Sequence, residues 1–173
     1  AGRRIDREAM NNVLLQGGGE PAGTLLPGWL SGYAFLFSTA IDLQGARQAR
    51  DAVRQAPAWT LGYDASDPLA RVIAERIALN ARDAGLTLQT TASATADIRL
   101  VRMRLPSLDG WVALSELARS LGFRGLGLAQ PKFDGDPLQQ TADASRTYAA
   151  ENTLLQSQRI IPLLHLRTGV ALG

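Results

Sequence analysis

The chain of 173 residues contains no cysteine and only one histidine, His165. The absence of cysteine excludes a disulfide framework, thiol catalysis and cysteine-ligated zinc. A nickel or zinc site built on one histidine alone is not expected either, because such sites draw mainly on these two residue types. His165 lies in an apolar segment, where we interpret it as a packed or edge-facing side chain. We therefore predict no catalytic residue, no metal and no cofactor.

Long apolar runs and known nucleotide motifs are also missing. No run reaches the roughly 18 residues that suggest a membrane-spanning helix, so we expect no direct membrane insertion. No phosphate-binding loop, dinucleotide fingerprint, nucleophile elbow or zinc-protease motif is present, and this argues against a free-standing enzyme. The chain begins without an export signal, which we expect of a cytosolic protein or of a chain trimmed from a longer one.

The balance of charge gives no sign of a nucleic-acid partner. The net charge is only +2, and charged residues make up 20% of the chain, as in ordinary globular proteins. The aromatic residues of the segment 18–40 are not surrounded by basic ones, so a stacking platform for bases is not indicated. We interpret that segment as a packed loop or as a surface that another lobe covers.

The firmest structural pattern is a strand–helix–strand unit in the middle of the chain. Large and small side chains alternate over residues 58–63, which predicts a strand. Asp67 and Pro68 then predict a helix start, and Gly85 marks the helix end before a second strand at 86–91. A helix that connects two strands implies that the strands are parallel and that the crossover is right-handed.

The remaining periodicity completes an α/β prediction. Further helices are predicted after the caps Asp6 and Asp42 and over 111–121 and 138–158; further strands are predicted over 97–104 and 159–167. Pro162 lies inside the last of these strands and predicts an edge position or a bulge. We predict a mixed, partly parallel sheet of four to five strands with flanking helices.

Three residues are candidates for ligand binding. Arg102 and Arg104 share a face near the C-terminal end of the predicted strand 97–104, the end at which open α/β sheets bind ligands. A guanidinium group there can bind a carboxylate or phosphate in bidentate fashion. Trp111 follows directly and can line a cleft. The alternatives are a solvated strand face for the arginines and a packing role for Trp111.

A series of short motifs is the most informative positive feature. In order, they are Ile5-Asp6-Arg7-Glu8-Ala9, Pro21-Ala22-Gly23 with Pro27, the helical segment 46–53, the helix start Asp67-Pro68 with its continuation to Ile77, Ala84-Gly85-Leu86, and Ile161-Pro162-Leu163-Leu164-His165. Together they resemble one lobe of the family 5 extracellular solute-binding proteins, the dipeptide, oligopeptide and nickel receptors of ABC importers. The resemblance covers nearly the whole chain.

This resemblance implies a fold and a function. Residues 1–173 would form a single lobe of a periplasmic-binding-protein type II fold, the second or C-terminal lobe of a two-lobe clamp. It implies solute binding for import, of a peptide or another small polar solute, in the periplasm or outside the cell. The implied partners are the missing first lobe and an ABC permease. The alternative is a ligand-sensing effector domain of a cytoplasmic transcriptional regulator with the same fold.

Overall fold

The structure, a computed structural model, describes residues 5–40, 42–52, 58–123 and 137–167. The chain divides into two compact units, each built from separate segments. The sheet unit contains residues 1–21, 39–102 and 163–173, and the helical unit contains residues 22–38 and 103–162. The assignment of the whole chain to one lobe stays a prediction.

Eleven α-helices and β-strands lie within the described residues. In chain order they are α1 (Arg7–Ala9), β1 (Gly19–Pro21), α2 (Gly28–Ser31), α3 (Leu43–Asp51), β2 (Trp59–Gly62), α4 (Pro68–Asp83), β3 (Leu88–Thr91), β4 (Ile98–Arg99), α5 (Gly110–Ser120), α6 (Pro137–Gln156) and β5 (Leu164–Leu166). A π-helical turn, Met10–Leu14, extends α1, and a 3₁₀ turn, Ala34–Leu36, follows α2.

The five strands form two sheets. β2 lies between β3 and β4 and is parallel to both, so the prediction of a parallel pair around α4 is confirmed. β1 and β5 form a separate antiparallel pair in the sheet unit. The predicted strand 159–167 is shorter in the structure, because β5 begins only after Pro162, which has no N–H to donate. The predicted strand 97–104 contributes only Ile98 and Arg99 to the ladder.

One face of α4 supplies the core of the sheet unit. Asp67 caps this helix, and its Oδ1 accepts hydrogen bonds from the N–H groups of Leu69 and Ala70 at 3.0 and 3.2 Å. The buried residues recur at helical spacing and lie close to Leu61 of β2, which is only 2% exposed; they are Ala70, Ile73, Ala74 and Ile77. The predicted cap and the predicted periodicity are both confirmed.

The helical unit is built around α5 and α6. Its core cluster consists of Leu26, Ala113, Leu114, Leu117, Ala118 and Leu154. The predicted helix 111–121 is confirmed within one residue at each end, and Asp109 caps it by accepting from the N–H of Val112 at 2.8 Å. The predicted helix 138–158 is also present, as α6.

Candidate functional site

The turns that follow β2, β3 and β4 lie at one edge of the parallel sheet. They comprise residues 63–67, 92–97 and 100–102, and the N-terminus of α4 begins at the same edge. This is where open parallel sheets carry ligand-binding groups, because the strands end there and the following helices point their N–H groups outward. Polar side chains dominate these turns.

Gly62 allows two of these turns to approach each other. A Cβ atom at this position would lie 2.9 Å from the carbonyl oxygen of Ser93 and 2.9 Å from the Cβ of Ala96. Only a residue without a side chain lets the 92–97 turn lie this close to the end of β2. The hydroxyl groups of Ser93 and Thr95 are hydrogen-bonded to each other there at 2.9 Å.

Asp64 is held in a tight turn at the same edge. Its Oδ1 accepts a hydrogen bond from the Ser66 hydroxyl at 2.7 Å and another from the Ser66 N–H at 2.9 Å. These two hydrogen bonds lower the pKa of the Asp64 carboxyl, because both donors favour its charged form. Asp64 is therefore an exposed anion beside the N-terminus of α4.

Arg102 lies at the edge where the sequence predicted it. Its Nη1 atom is 3.5 Å from Oδ2 of Asp67, whose other carboxylate oxygen caps α4. The side chain of Arg102 is 57% exposed.

The other two predicted residues belong to the helical unit. Arg104 is exposed and forms no ion pair with another residue of the described ranges. Trp111 is only 5% exposed, and the guanidinium carbon of Arg146 lies 4.2 Å from its ring centroid. Trp111 thus has the packing role that the sequence left open. The ligand-binding roles of Arg102, Arg104 and Trp111 stay predictions.

The sequence analysis missed a fully buried carboxylate, Glu151 of α6. Its Oε1 accepts hydrogen bonds from the N–H groups of Leu25 and Leu26, the latter at 3.0 Å. Its Oε2 accepts from the Tyr33 hydroxyl at 2.7 Å. Burial and this neighbouring carboxylate raise the pKa of Tyr33. Glu151 therefore fixes the segment 25–33 to α6.

A sequence signal for Glu151 does exist. Thr147, Glu151 and Leu154 recur at helical spacing, and all three are buried in the structure. A glutamate in phase with an inward face predicts a buried hydrogen-bonded carboxylate, since an unpaired buried charge is too costly. Its partners, over 110 residues away in the sequence, could not be read from that pattern.

Aromatic rings surround the Tyr33–Glu151 hydrogen bond. The ring centroid of Tyr148 lies 5.4 Å from that of Tyr33 and 5.6 Å from that of Phe37. The packed-loop interpretation of segment 18–40 therefore holds for Tyr33 and Phe37. Trp29 and Phe35 are different, because they are 68% and 82% exposed; the second interpretation, a surface that another lobe covers, stays a prediction for them.

Two kinds of feature are absent from the residues that the structure describes. Histidine, aspartate and glutamate side chains form no group of three or more that could hold a metal ion within the ranges that the structure covers. None of the described helices combines the length and apolar character needed to cross a membrane. The candidate site therefore offers hydroxyl groups, carboxylates and a guanidinium group for binding a polar ligand.

Comparison with known proteins gives a consistent answer at the level of structure. No family model matches the sequence, and no curated protein matches it. Among solved structures, the chain is similar to the periplasmic murein tripeptide binding protein MppA in its unliganded open form, with a TM-score of 0.70 and 16% identity. It is similar to NikA from Brucella suis in complex with Fe(III)-EDTA, with a TM-score of 0.71 and 15% identity.

A third similar structure is the substrate-binding domain of an oligopeptide ABC transporter from Bacillus anthracis, with a TM-score of 0.67 and 15% identity. Each match covers 95% of this chain but only 37%, 40% and 38% of the respective solved chains. The chain thus spans about two fifths of the length of these proteins. The resemblance to family 5 solute-binding proteins is confirmed for the fold: the chain has the fold of one part of a periplasmic-binding-protein type II protein.

Proposed function

We propose that this chain is one lobe of a solute-binding protein that serves an ABC importer. The observation that carries the proposal is the extent of the structural match, which covers 95% of the chain in each of three transport receptors. The lobe would bind a small polar solute without changing it chemically, in the periplasm or outside the cell.

The bound solute is proposed to be a peptide or another small polar molecule with a carboxylate. Of the similar proteins described above, one is named for a murein tripeptide and one is in complex with Fe(III)-EDTA, and both compounds have carboxylates. Arg102 supplies the matching cation at the C-terminal edge of the parallel sheet. A first lobe would supply the other half of the site, and an ABC permease would receive the solute.

The test uses the polypeptide as the cell produces it, because one lobe alone offers only half of the contacts. Isothermal titration with a mixed tripeptide and tetrapeptide library, followed by single peptides, measures binding. Arg102→Ala should weaken binding about tenfold, as expected when one charge-assisted hydrogen bond is lost. Arg119→Ala is the matched control, since Arg119 is an exposed helical arginine paired with Glu116 in the helical unit.

Three outcomes would overturn the proposal. The first is failure of the natural polypeptide to bind any peptide or other carboxylated solute. The second is chemical conversion of the solute during incubation, which mass spectrometry of the recovered solute detects. The third is solute-dependent binding of DNA by the same polypeptide, which would favour the regulator alternative.

A further inference from the structure

The outer edge of β3 has free backbone groups that point away from the sheet. The carbonyl groups of Thr87 and Thr91 accept hydrogen bonds from Trp59 and Tyr63, so the odd-numbered residues face β2. The N–H and C=O groups of Leu88 and Thr90 must then point outward, because these directions alternate along a strand. Among the described residues, no strand pairs with this side.

This edge lacks the features that normally prevent strand pairing. β3 reads Leu88-Gln89-Thr90-Thr91, without charge and without proline. β4, at the opposite edge, has only two residues and includes Arg99. Charge and short length are common means of blocking an exposed edge, so β4 is protected and β3 is open.

A groove runs along the open edge. Its volume is about 570 Å³, and it lies between α4 and β3. Glu75, Leu79 and Arg82 of α4 line it at spacings of four and three residues, which places them on one face of the helix. All three are exposed, and Glu75 already pairs with Arg71 of the same helix at 3.0 Å, an exposed pair that a second cation can join. Arg82 forms no ion pair with any other residue that the structure describes.

We propose that two copies of this chain associate through β3, in antiparallel fashion around a two-fold axis at Gln89. In this register Leu88 of one copy lies opposite Thr90 of the second. Their outward N–H and C=O groups form one hydrogen-bonded pair, and symmetry supplies another. Gln89 lies opposite its own copy, and its amide, both donor and acceptor, is self-complementary.

The charges on α4 fit the same symmetry. The helix connects two parallel strands and so runs opposite to β3. A two-fold axis then makes the two α4 helices antiparallel, which brings Glu75 of one copy opposite Arg82 of the other, with Leu79 between. Because α4 contacts both β2 and β3, its axis lies over the space between these two strands. Pairing of the two β3 strands would then place the two α4 helices about 10 Å apart, which is the usual packing distance of helices.

The absence of cysteine makes a direct test possible. In the proposed dimer the two Gln89 Cα atoms form a non-hydrogen-bonded pair about 4.5 Å apart, within disulfide range. Gln89→Cys should therefore give a covalent dimer when the thiols are oxidised with diamide. Thr87→Cys is the matched control, because the register separates its two copies by about 14 Å. Equal cross-linking of both variants, or of neither, would overturn the proposal.

Charge reversal provides an independent test by sedimentation velocity on the cysteine-free chain. Arg82→Glu and Glu75→Lys should each weaken the dimer roughly tenfold, and more at low salt, because each places like charges opposite one another. The double variant should restore association. Arg119→Glu, with the same charge change on α5, should leave it unaltered. If the chain sediments as a monomer at all concentrations up to about 100 µM, the proposal is contradicted.

Discussion

The two units hold their turns in place with carboxylates in opposite environments. In the sheet unit, Asp64, Asp67 and Asp97 are exposed or partly exposed. They accept hydrogen bonds from Ser66, from the first residues of α4 and from Thr60 of β2, respectively. In the helical unit, Glu151 is completely buried and accepts from three donors. In the sheet unit, water can therefore replace the carboxylate as the hydrogen-bond acceptor. In the helical unit, we expect that water cannot replace Glu151.

The difference follows from the alternative that each donor has. When its carboxylate acceptor is removed, an N–H group at the surface donates a hydrogen bond to water instead, so little stability is lost. The buried N–H of Leu26 and the buried Tyr33 hydroxyl have no such access to water when Glu151 is removed. We therefore expect the helical unit to be far more sensitive to loss of one carboxylate than the sheet unit. The following substitutions test this comparison, in order of decreasing effect.

Glu151→Leu should have the largest effect, a loss of about 3–5 kcal/mol in the free energy of unfolding. It removes the acceptor of two buried donors, the N–H of Leu26 and the Tyr33 hydroxyl. Urea unfolding measures the loss, with Trp111 as a local fluorescence probe in a Trp29→Phe, Trp59→Phe background. Glu116→Leu, on the exposed pair with Arg119, is the control and should change stability by less than about 1 kcal/mol. Equal losses would contradict the comparison.

Gly62→Ala should destabilise the sheet unit by about 1–3 kcal/mol. The new methyl group would lie 2.9 Å from a backbone carbonyl oxygen, which cannot move without shifting the 92–97 turn. Gly32→Ala in the helical unit is the control, since Gly32 has a φ of +69° and no atom within 4 Å of the added Cβ. Its cost should be only the backbone strain, about 1 kcal/mol. Thermal unfolding distinguishes the two, and a larger loss for Gly32→Ala would refute the crowding argument.

Raising the pH above about 10 should destabilise the helical unit through Tyr33. The folded pKa of Tyr33 is raised by burial and by Glu151, so the unfolded state loses its proton first. Stability is therefore complete below the ordinary tyrosine pKa and falls above it, by about 1.4 kcal/mol per pH unit. Urea unfolding between pH 9 and 11 measures the slope. Tyr33→Phe should remove that contribution, and an unchanged slope would show that another group causes it.

Removal of the helix caps should have the smallest effect, and it compares the units directly. Asp67→Ala removes an acceptor for two N–H groups of α4, and Asp109→Ala removes an acceptor for one N–H of α5. Each should cost about 1 kcal/mol, with Asp67 the larger. Arg102→Ala tests whether the ion pair adds to the Asp67 cap, and we expect less than about 0.5 kcal/mol. A larger effect for Arg102→Ala than for Asp67→Ala would contradict the capping role.

The local signals in the sequence were reliable where one residue acts on its near neighbours. Asp6, Asp42, Asp67 and Asp109 each cap the helix that follows, and the sequence predicted the first three as helix starts. The parallel pairing of β2 and β3 also followed from the sequence, since the α4 connection leaves no other arrangement. Arg102 was correctly expected near the C-terminal edge of the sheet.

Contacts between distant segments could not be predicted from the sequence. The pairing of β1 with β5 joins Glu20 to His165 across the whole chain, and nothing in either three-residue strand predicts it. The Glu151 network joins α6 to a loop more than 110 residues earlier. Strand ends were also overestimated. Leu100 still donates a backbone hydrogen bond to Gly62 of β2, but residues 101–104 keep an alternating pattern without belonging to a strand.

By itself, the sequence determined the longer helices, the caps Asp6, Asp42 and Asp67, the parallel unit and, through its ordered motifs, the resemblance to a solute-binding fold. Hydrogen bonds within a few residues and a steady apolar period are enough for these features. Only the tertiary structure decided that Trp111 is packed, that Glu151 is the buried acceptor of the helical unit, and that Arg102 is paired with Asp67. Each depends on which distant residues folding brings into contact, and the spacing of side chains along the chain does not specify those contacts.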